Sequence, residues 1–185
     1  MKKLATLFQD SYNELKHVRT VTTIAMFASI GIILGSLTVQ IGDFIKIGFS
    51  SIANQFVYYL FGPATGCFYG GALDILKYLI KPTGAFFPGW TVGAMTAGVL
   101  YGCFFYKRKL TIVRVLAAEL CVSVVCNMIL GTLWLDMMYG KGFFVLMPMR
   151  VIKKLVMWPV NSFLFYTMTM AMEQTGIFRL IRKSA

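Results

Sequence analysis

Charge is absent from five long stretches of the chain, 20–42, 47–73, 82–106, 120–135 and 155–172. A helix that crosses the hydrocarbon core of a bilayer needs about 20 apolar residues, and these stretches are of that order. The second contains Gly62-Pro63. Proline lacks an amide hydrogen and restricts the residue before it, so a helix ends after Phe61. One helix enters before this break and a second leaves after it, running on through Asp74. The pattern predicts six spans, at about 21–37, 47–61, 64–80, 90–106, 112–138 and 149–173. Ahead of them, Leu4, Leu7, Phe8, Tyr12 and Leu15 recur at helical spacing among charges, which predicts an amphipathic helix within 1–19 lying on the inner leaflet. The whole of 1–185 reads as a single membrane domain. No cleavable leader is expected, because the first 19 residues are charged and polar and lead into a full-length span.

Composition agrees with the pattern. The chain has 185 residues, 58% of them hydrophobic, and its mean hydropathy is +0.72. A soluble domain of this length cannot bury so much apolar surface, so part of it faces lipid. The net charge of +11 raises the question of nucleic acid. Its distribution points to membrane topology instead. With the N-terminus cytoplasmic, Lys2, Lys3, Lys16, Arg19, Lys107, Arg108, Lys109, Arg114, Arg179, Arg182 and Lys183 fall inside, a majority of the 18 basic residues. Both termini are then cytoplasmic.

Several function classes drop out. Cys67, Cys103, Cys121 and Cys126 all lie in apolar stretches without metal-ligand spacing, and read as small packing residues. His17 is the only histidine, and no acidic cluster accompanies it, so no catalytic or structural metal is expected. There is no G-x-S-x-G, no His–Asp couple and no phosphate-binding P-loop. The chain therefore reads as a non-enzyme that cannot hydrolyse ATP, and with six spans it is small for a self-sufficient transporter.

Polar residues inside a span are functional hypotheses by default. Asp74 lies one turn beyond Gly70 on the face shared by Gly66, and Lys77 is close enough to pair with it. Asn54 and Gln55 in span two need partners. Arg114 and Glu119 in the inner half of span five read as interface and packing charges. Asn127 sits well inside that span, with Trp134 and Asp136 near its outer end. Arg150, Lys153 and Lys154 crowd the first turns of span six, where Pro159 is expected to bend the helix or loosen a turn. Such a basic cluster repels itself unless an anion or local carboxylates offset it. The loop KPTGAFFPG, with Phe86, Phe87 and the following Trp90, places aromatics at the outer interface, either as an ordinary aromatic belt or as part of a site. Basic and aromatic groups together suggest a planar heterocycle joined to a carboxylate-bearing tail, bound from outside. On span one, Ala25 and Ser29 are four apart, with Ala28 on a neighbouring row, and so are Gly31 and Gly35. Small residues at this spacing serve close packing within a bundle or docking onto a separate subunit.

These residues carry a resemblance. Lys46-Ile47-Gly48-Phe49, Phe61-Gly62-Pro63, Gly66, Gly70 and Asp74 resemble the pattern shared by substrate-binding S components of energy-coupling factor (ECF) vitamin transporters. Pro82 through Thr91, Leu133-Trp134-Leu135, Tyr139-Gly140-Lys141 and Pro148 through Lys153 resemble the folate-specific (FolT) family, with Trp90 where Phe is usual. The resemblance implies an all-α integral membrane protein of six transmembrane helices with the S-component fold, in a bacterial cell membrane. It implies folate capture outside and delivery inward by a transmembrane T component and two ATPase subunits, which alone use ATP, so no cofactor is expected on this chain. It implies docking of the T component on Ala25, Ser29 and Ala28, in a motif whose usual second residue is alanine. Folate then assigns roles. Asp74 and Asn127 are candidates for pterin hydrogen bonds, Phe86, Trp90 and Trp134 for stacking, and Arg150, Lys153 and Lys154 for the glutamate carboxylates. Asp74 is equally a structural partner of Lys77. The competing readings are an S component for thiamine or riboflavin, a membrane-embedded enzyme acting on lipid head groups, and a purely structural membrane subunit.

Overall fold

The computed structural model describes residues 2–36, 39–41, 45–47, 50–82, 86–108, 110–139 and 143–175. Helices dominate: α1 (Lys2–Glu14), α2 (Val18–Ser36), α3 (Ser50–Ile80), α4 (Pro88–Phe105), α5 (Ile112–Val122), α6 (Gly131–Tyr139) and α7 (Phe143–Gln174). A π-helical segment, Ser123–Leu130, joins α5 to α6. The expected outer loop at 38–46 contains a two-stranded antiparallel hairpin, β1 (Val39–Ile41) with β2 (Ile45–Ile47), in which Gln40 pairs with Lys46. Residue 47 therefore closes a strand, and α3 begins at Ser50 rather than at the predicted 47.

The predicted break at Gly62-Pro63 is a reversal. Gly62 has φ 86 and ψ −169, outside the helical region and costly for any residue with a Cβ. The two arms of α3, 50–61 and 63–80, fold back on each other. Tyr69 Oη donates to Asn54 Oδ1 at 3.0 Å, Lys77 Nζ donates to Ser50 Oγ at 2.5 Å, and the Tyr58 and Tyr69 rings meet edge to face at 5.9 Å. The molecule thus has a turn end, at Gly62, and a loop end, where α3 finishes and α4 begins.

Arm 63–80 and α4 pack with their backbones nearly touching. A Cβ on Gly70 would lie 2.6 Å from Ala94 O, one on Gly66 would lie 2.8 Å from Gly98 O, and Cβ atoms on Gly98 and Gly102 would overlap Gly66 and Pro63. The pairs 63/102, 66/98 and 70/94 run antiparallel along one seam, so small residues at i, i+4 on both helices set the spacing. Gly31 and Gly35 on α2 do the same against α3: a Cβ on Gly31 would lie 3.2 Å from Asn54 Oδ1, and one on Gly35 would lie 3.6 Å from Ser50 Cβ. Those two glycines serve packing inside the bundle.

At the turn end, α1 is docked into the protein rather than only resting on a surface. Ser11 is fully buried; its Oγ donates to Phe61 O at 2.6 Å and accepts from Thr65 N at 3.0 Å, and Thr65 Oγ1 donates to Ser11 O at 2.8 Å. Lys107 Nζ, in the turn between α4 and α5, donates to Asp10 Oδ2 of α1 at 2.7 Å, and this hydrogen bond holds the ammonium above its ordinary range.

The core is aromatic. Phe56, Phe105 and Phe165 join arm 50–61, α4 and α7, with ring centroids 5.4 Å and 5.3 Å from Phe165. The exterior is apolar as well: Met26, Ile33, Leu79, Val113 and Phe163 are all exposed. Among the described residues, Val18–Gly35 and Ile112–Met138 are long and apolar enough to cross a membrane. Helix α7 starts six residues before the predicted 149 and runs continuously through Pro159. Arg150, Lys153 and Lys154 therefore stand in its second to fourth turns, not its first.

Gly98→Ala is expected to lower stability by about 1–3 kcal/mol or more, because the obstruction is backbone and cannot swing aside. Gly93→Ala, where an added Cβ meets nothing within 4 Å, is the control. Thermal unfolding of the two variants in detergent checks this.

Candidate functional site

The glycine seam continues to the loop end and there becomes polar. One turn beyond Gly70, Asp74 Oδ2 accepts a 2.9 Å hydrogen bond from Thr91 Oγ1 in the first turn of α4. Pair 74/91 keeps the register of 70/94 and 66/98. Asp74 thus fastens the end of the proline- and glycine-rich loop to α3. The expected Asp74–Lys77 pair is not made: Lys77 turns to Ser50 on the other arm, although the Asp74 charge remains near it. Two flanking hydroxyls outcompete the i, i+3 contact because each lies on a segment packed against arm 63–80.

The aromatics divide into two groups. Phe86 is exposed and packs on Tyr78 of α3, with ring centroids 5.1 Å apart. Phe87 packs on Trp134 of α6, centroids 5.6 Å apart, and the two rings converge over Gly89, where any Cβ would overlap both. The indole Nε1–H of Trp134 is buried and has no hydrogen-bond partner among the described residues. A buried donor left open costs about 1–3 kcal/mol, so it marks a place where an acceptor belongs. Trp90, in the first turn of α4, is 37% exposed.

Asn127 lies half-buried in the π-helical segment. A π-turn widens the helix and re-aims its side chains, and such turns recur at functional sites. Positions 150 and 153 are on α7, and their side chains lie outside the described residues. Lys154 is half-buried. Its charge acts on Glu119 of α5, which is 6% exposed. Glu119 Oε1 accepts from Gln55 Nε2 at 2.5 Å, and the buried Tyr101 of α4 lies near the same carboxylate. The packing charge expected at Glu119 is buried, and Gln55 joins arm 50–61 to α5 through it. Lys141, Asp43 and Lys46, by contrast, offer no described side chains, and Lys153 with Arg150 belongs with them.

On α2, Ala25 and Ser29 are exposed on one face, and Ser29 Oγ donates to Ala25 O at 3.0 Å, which hides its hydroxyl. Ala28 turns the other way and packs against the core. The structure thus separates Ala28 from the two residues with which it was grouped.

Sequence reasoning missed Thr91, Ser50, Glu119 and Tyr101 as partners of residues it singled out. The signal available for Glu119 was an acid in an apolar run together with Gln55 in another; nothing in either run states that they meet.

A sequence profile described as "ECF transporter, substrate-specific component" matches residues 19–169. The chain is 34% identical over 139 residues to the folate transporter FolT of Clostridium novyi (strain NT), covering 75% of this chain and 81% of that protein. It is 29% identical over 154 residues to the folate transporter FolT of Leuconostoc mesenteroides subsp. mesenteroides, covering 80% and 83%. Among solved structures, a crystal structure of FolT bound with folic acid superposes with a TM-score of 0.71 at 30% identity, covering 80% of this chain and 90% of that one.

Thr91→Val is expected to cost about 1–3 kcal/mol by leaving Asp74 without its hydroxyl partner. Proteolysis of the 81–90 loop should accelerate in that variant, while Thr96→Val, whose hydroxyl only bonds Val92 O within its own helix, should leave it unchanged.

Proposed function

The chain belongs to the substrate-specific component family of ECF transporters, and on that premise we propose that it captures folate outside the cell and delivers it inward. Six spans carry it across the membrane, both termini stay in the cytoplasm, and the turn end at Gly62 faces inward. The work is done by a transmembrane T component and two ATPases, with ATP consumed by those partners and no cofactor on this chain. The exposed Ala25/Ser29 face of α2 is the docking surface for the T component, since small residues permit close helix approach.

The observation that carries the ligand reading is the loop-end aromatic site: Trp134 and Phe87 over Gly89, with an open indole N–H. Folate supplies what this lacks. Its pterin is flat, with ring nitrogens and a carbonyl as acceptors, and stacks on aromatic rings. Its glutamate tail carries two carboxylates suited to Arg150, Lys153 and Lys154. Asn127 offers an amide to the pterin from the π-helical segment. Trp90 and Phe86 flank the entrance. Asp74, with one carboxylate oxygen engaged by Thr91, and Lys77, engaged by Ser50, hold the loop and helix that frame the site. The relative solved with folic acid shares this fold over most of its length, which supports the same choice.

The test uses the isolated chain in detergent, with fluorescence of its 3 tryptophans reporting folate, folinate, thiamine and riboflavin. Saturable quenching by folate alone among the vitamin classes is expected, and binding of thiamine or riboflavin in its place would overturn the assignment. Arg150→Ala is expected to weaken folate about tenfold or more, the worth of a charge-assisted bond, and to leave pteroate, which lacks the glutamate, nearly unchanged. Equal affinity of the variant and the parent for folate would refute the tail assignment.

A further inference from the structure

A threonine inside a helix commonly satisfies its hydroxyl by donating to the carbonyl four residues back. Thr22, Thr23, Thr96, Thr167 and Thr169 all do so, at 2.7–2.9 Å. Thr132, in the first turn of α6, does not. It is 0% exposed, and its Oγ1 has no hydrogen-bond partner among the described residues. Burial is not the reason, because Thr169 is also 0% exposed and still bonds Phe165 O. The carbonyl four residues before Thr132 belongs to Met128, inside the π-helical segment Ser123–Leu130. Backbone bonds there run five residues back, as from Gly131 N–H to Cys126 O. The wider turn takes the Met128 carbonyl out of the place where a threonine side chain would meet it.

This open hydroxyl has a neighbour in the same condition. Two residues on, the buried indole N–H of Trp134 also has no partner among the described residues. Val124, Ile129, Leu133 and Met137 are exposed and mark the outward face of this stretch. Thr132 and Trp134 lie about 100° to either side of Leu133, so they border the inward face of α6 on its two flanks. Gly131, which has no side chain, stands between them on that inward face. Trp134 takes the flank toward Phe87, and Thr132 takes the other. Leaving buried polar groups open is costly in an apolar bundle, and valine would fill the space of Thr132 without that cost. A threonine at this position is explained by a hydrogen-bonding group that comes from outside the chain.

We propose that Thr132 is a ligand-binding residue: its hydroxyl and the Trp134 indole N–H hold two positions on the edge of the ligand's ring system. This rests on the folate reading given above. An indole N–H only donates, so it takes a ring nitrogen or the carbonyl of the pterin. A hydroxyl also accepts, so Thr132 takes an N–H from the pterin's amino or ring amide group. The π-helical segment makes this contact possible, because in an ordinary helix the hydroxyl would be spent on its own backbone.

The experiment measures dissociation constants for folate and pteroate, and the ligand-free Tm, with the full chain in detergent, as the parent and as Thr132→Val, Thr132→Ser and Thr169→Val. Thr132→Val is expected to weaken folate and pteroate by the same factor, about threefold to tenfold, the scale of one neutral hydrogen bond. Its ligand-free Tm should rise, because an open polar group gives way to a methyl of the same shape. Thr132→Ser keeps the hydroxyl and should bind both ligands close to the parent's affinity. Thr169→Val, equally buried but bonded within its own helix, should leave both affinities unchanged. Unchanged folate affinity in Thr132→Val overturns the proposal, and so does a loss for folate without one for pteroate, which would place the contact on the tail. A Thr132→Val chain with a lower ligand-free Tm, or one that does not fold, also overturns it, because an open hydroxyl contributes nothing to the ligand-free fold. A loss in Thr132→Ser as large as in Thr132→Val does the same. A parent that binds neither ligand removes the folate reading and this assignment with it; a parent that binds both, with Thr132→Val unchanged, removes this assignment alone.

Discussion

The close approach of arm 63–80 to α4 is the constraint on which the rest depends. Four glycines, Gly66 and Gly70 on one helix and Gly98 and Gly102 on the other, bring backbone against backbone, so that a methyl group at Gly98 or Gly102 has no room. In a bundle whose exterior is as apolar as its interior, burial of apolar surface does little to choose one helix arrangement over another. Close packing and hydrogen bonds decide instead. A seam without side chains also has one register, because sliding either helix drives a glycine onto a Cβ. That register fixes where α4 starts, and so fixes Thr91 beside Asp74 and Phe87 beside Trp134.

The two ends of the molecule use this frame differently. At the turn end, Ser11 and Thr65 tie α1 to the reversal at Gly62, and Tyr106 and Pro63 close around it. Ser11 and Thr65 bond each other there in both directions. At the loop end the polar groups serve as fasteners for a loop: Asp74 holds Thr91, Lys77 holds Ser50, and the Trp134 N–H is left open. That buried indole donor, beside the Phe87 ring, is where an acceptor fits. The wide turn carrying Asn127 lies directly before the helix that carries Trp134.

Between the ends, the Gln55–Glu119 hydrogen bond gives the bundle a buried polar centre that joins α3 to α5. Replacing such a junction by apolar residues is commonly no loss to stability, so stability alone does not explain it.

The sequence by itself determined the helices, the reversal at Gly62-Pro63, the glycine face at Gly66 and Gly70, and the family, because each is written in local terms: uncharged length, a proline, spacing of small residues, and short motifs. Asp74 and Trp134, which it singled out, both meet the segment that opens α4, through Thr91 and Phe87. Only the tertiary structure decided which groups are partners. Lys77 at i+3 from Asp74 was the nearest base in the chain, yet Ser50 is nearer in space. Ala28 shares spacing with Ala25 and Ser29, yet it faces the core. Glu119 read as an interface and packing charge, yet the group it packs on, Gln55, lies far from it in sequence. A helix pattern states which face a residue is on; which helix that face meets depends on how all the seams close together, and no single stretch of sequence contains that.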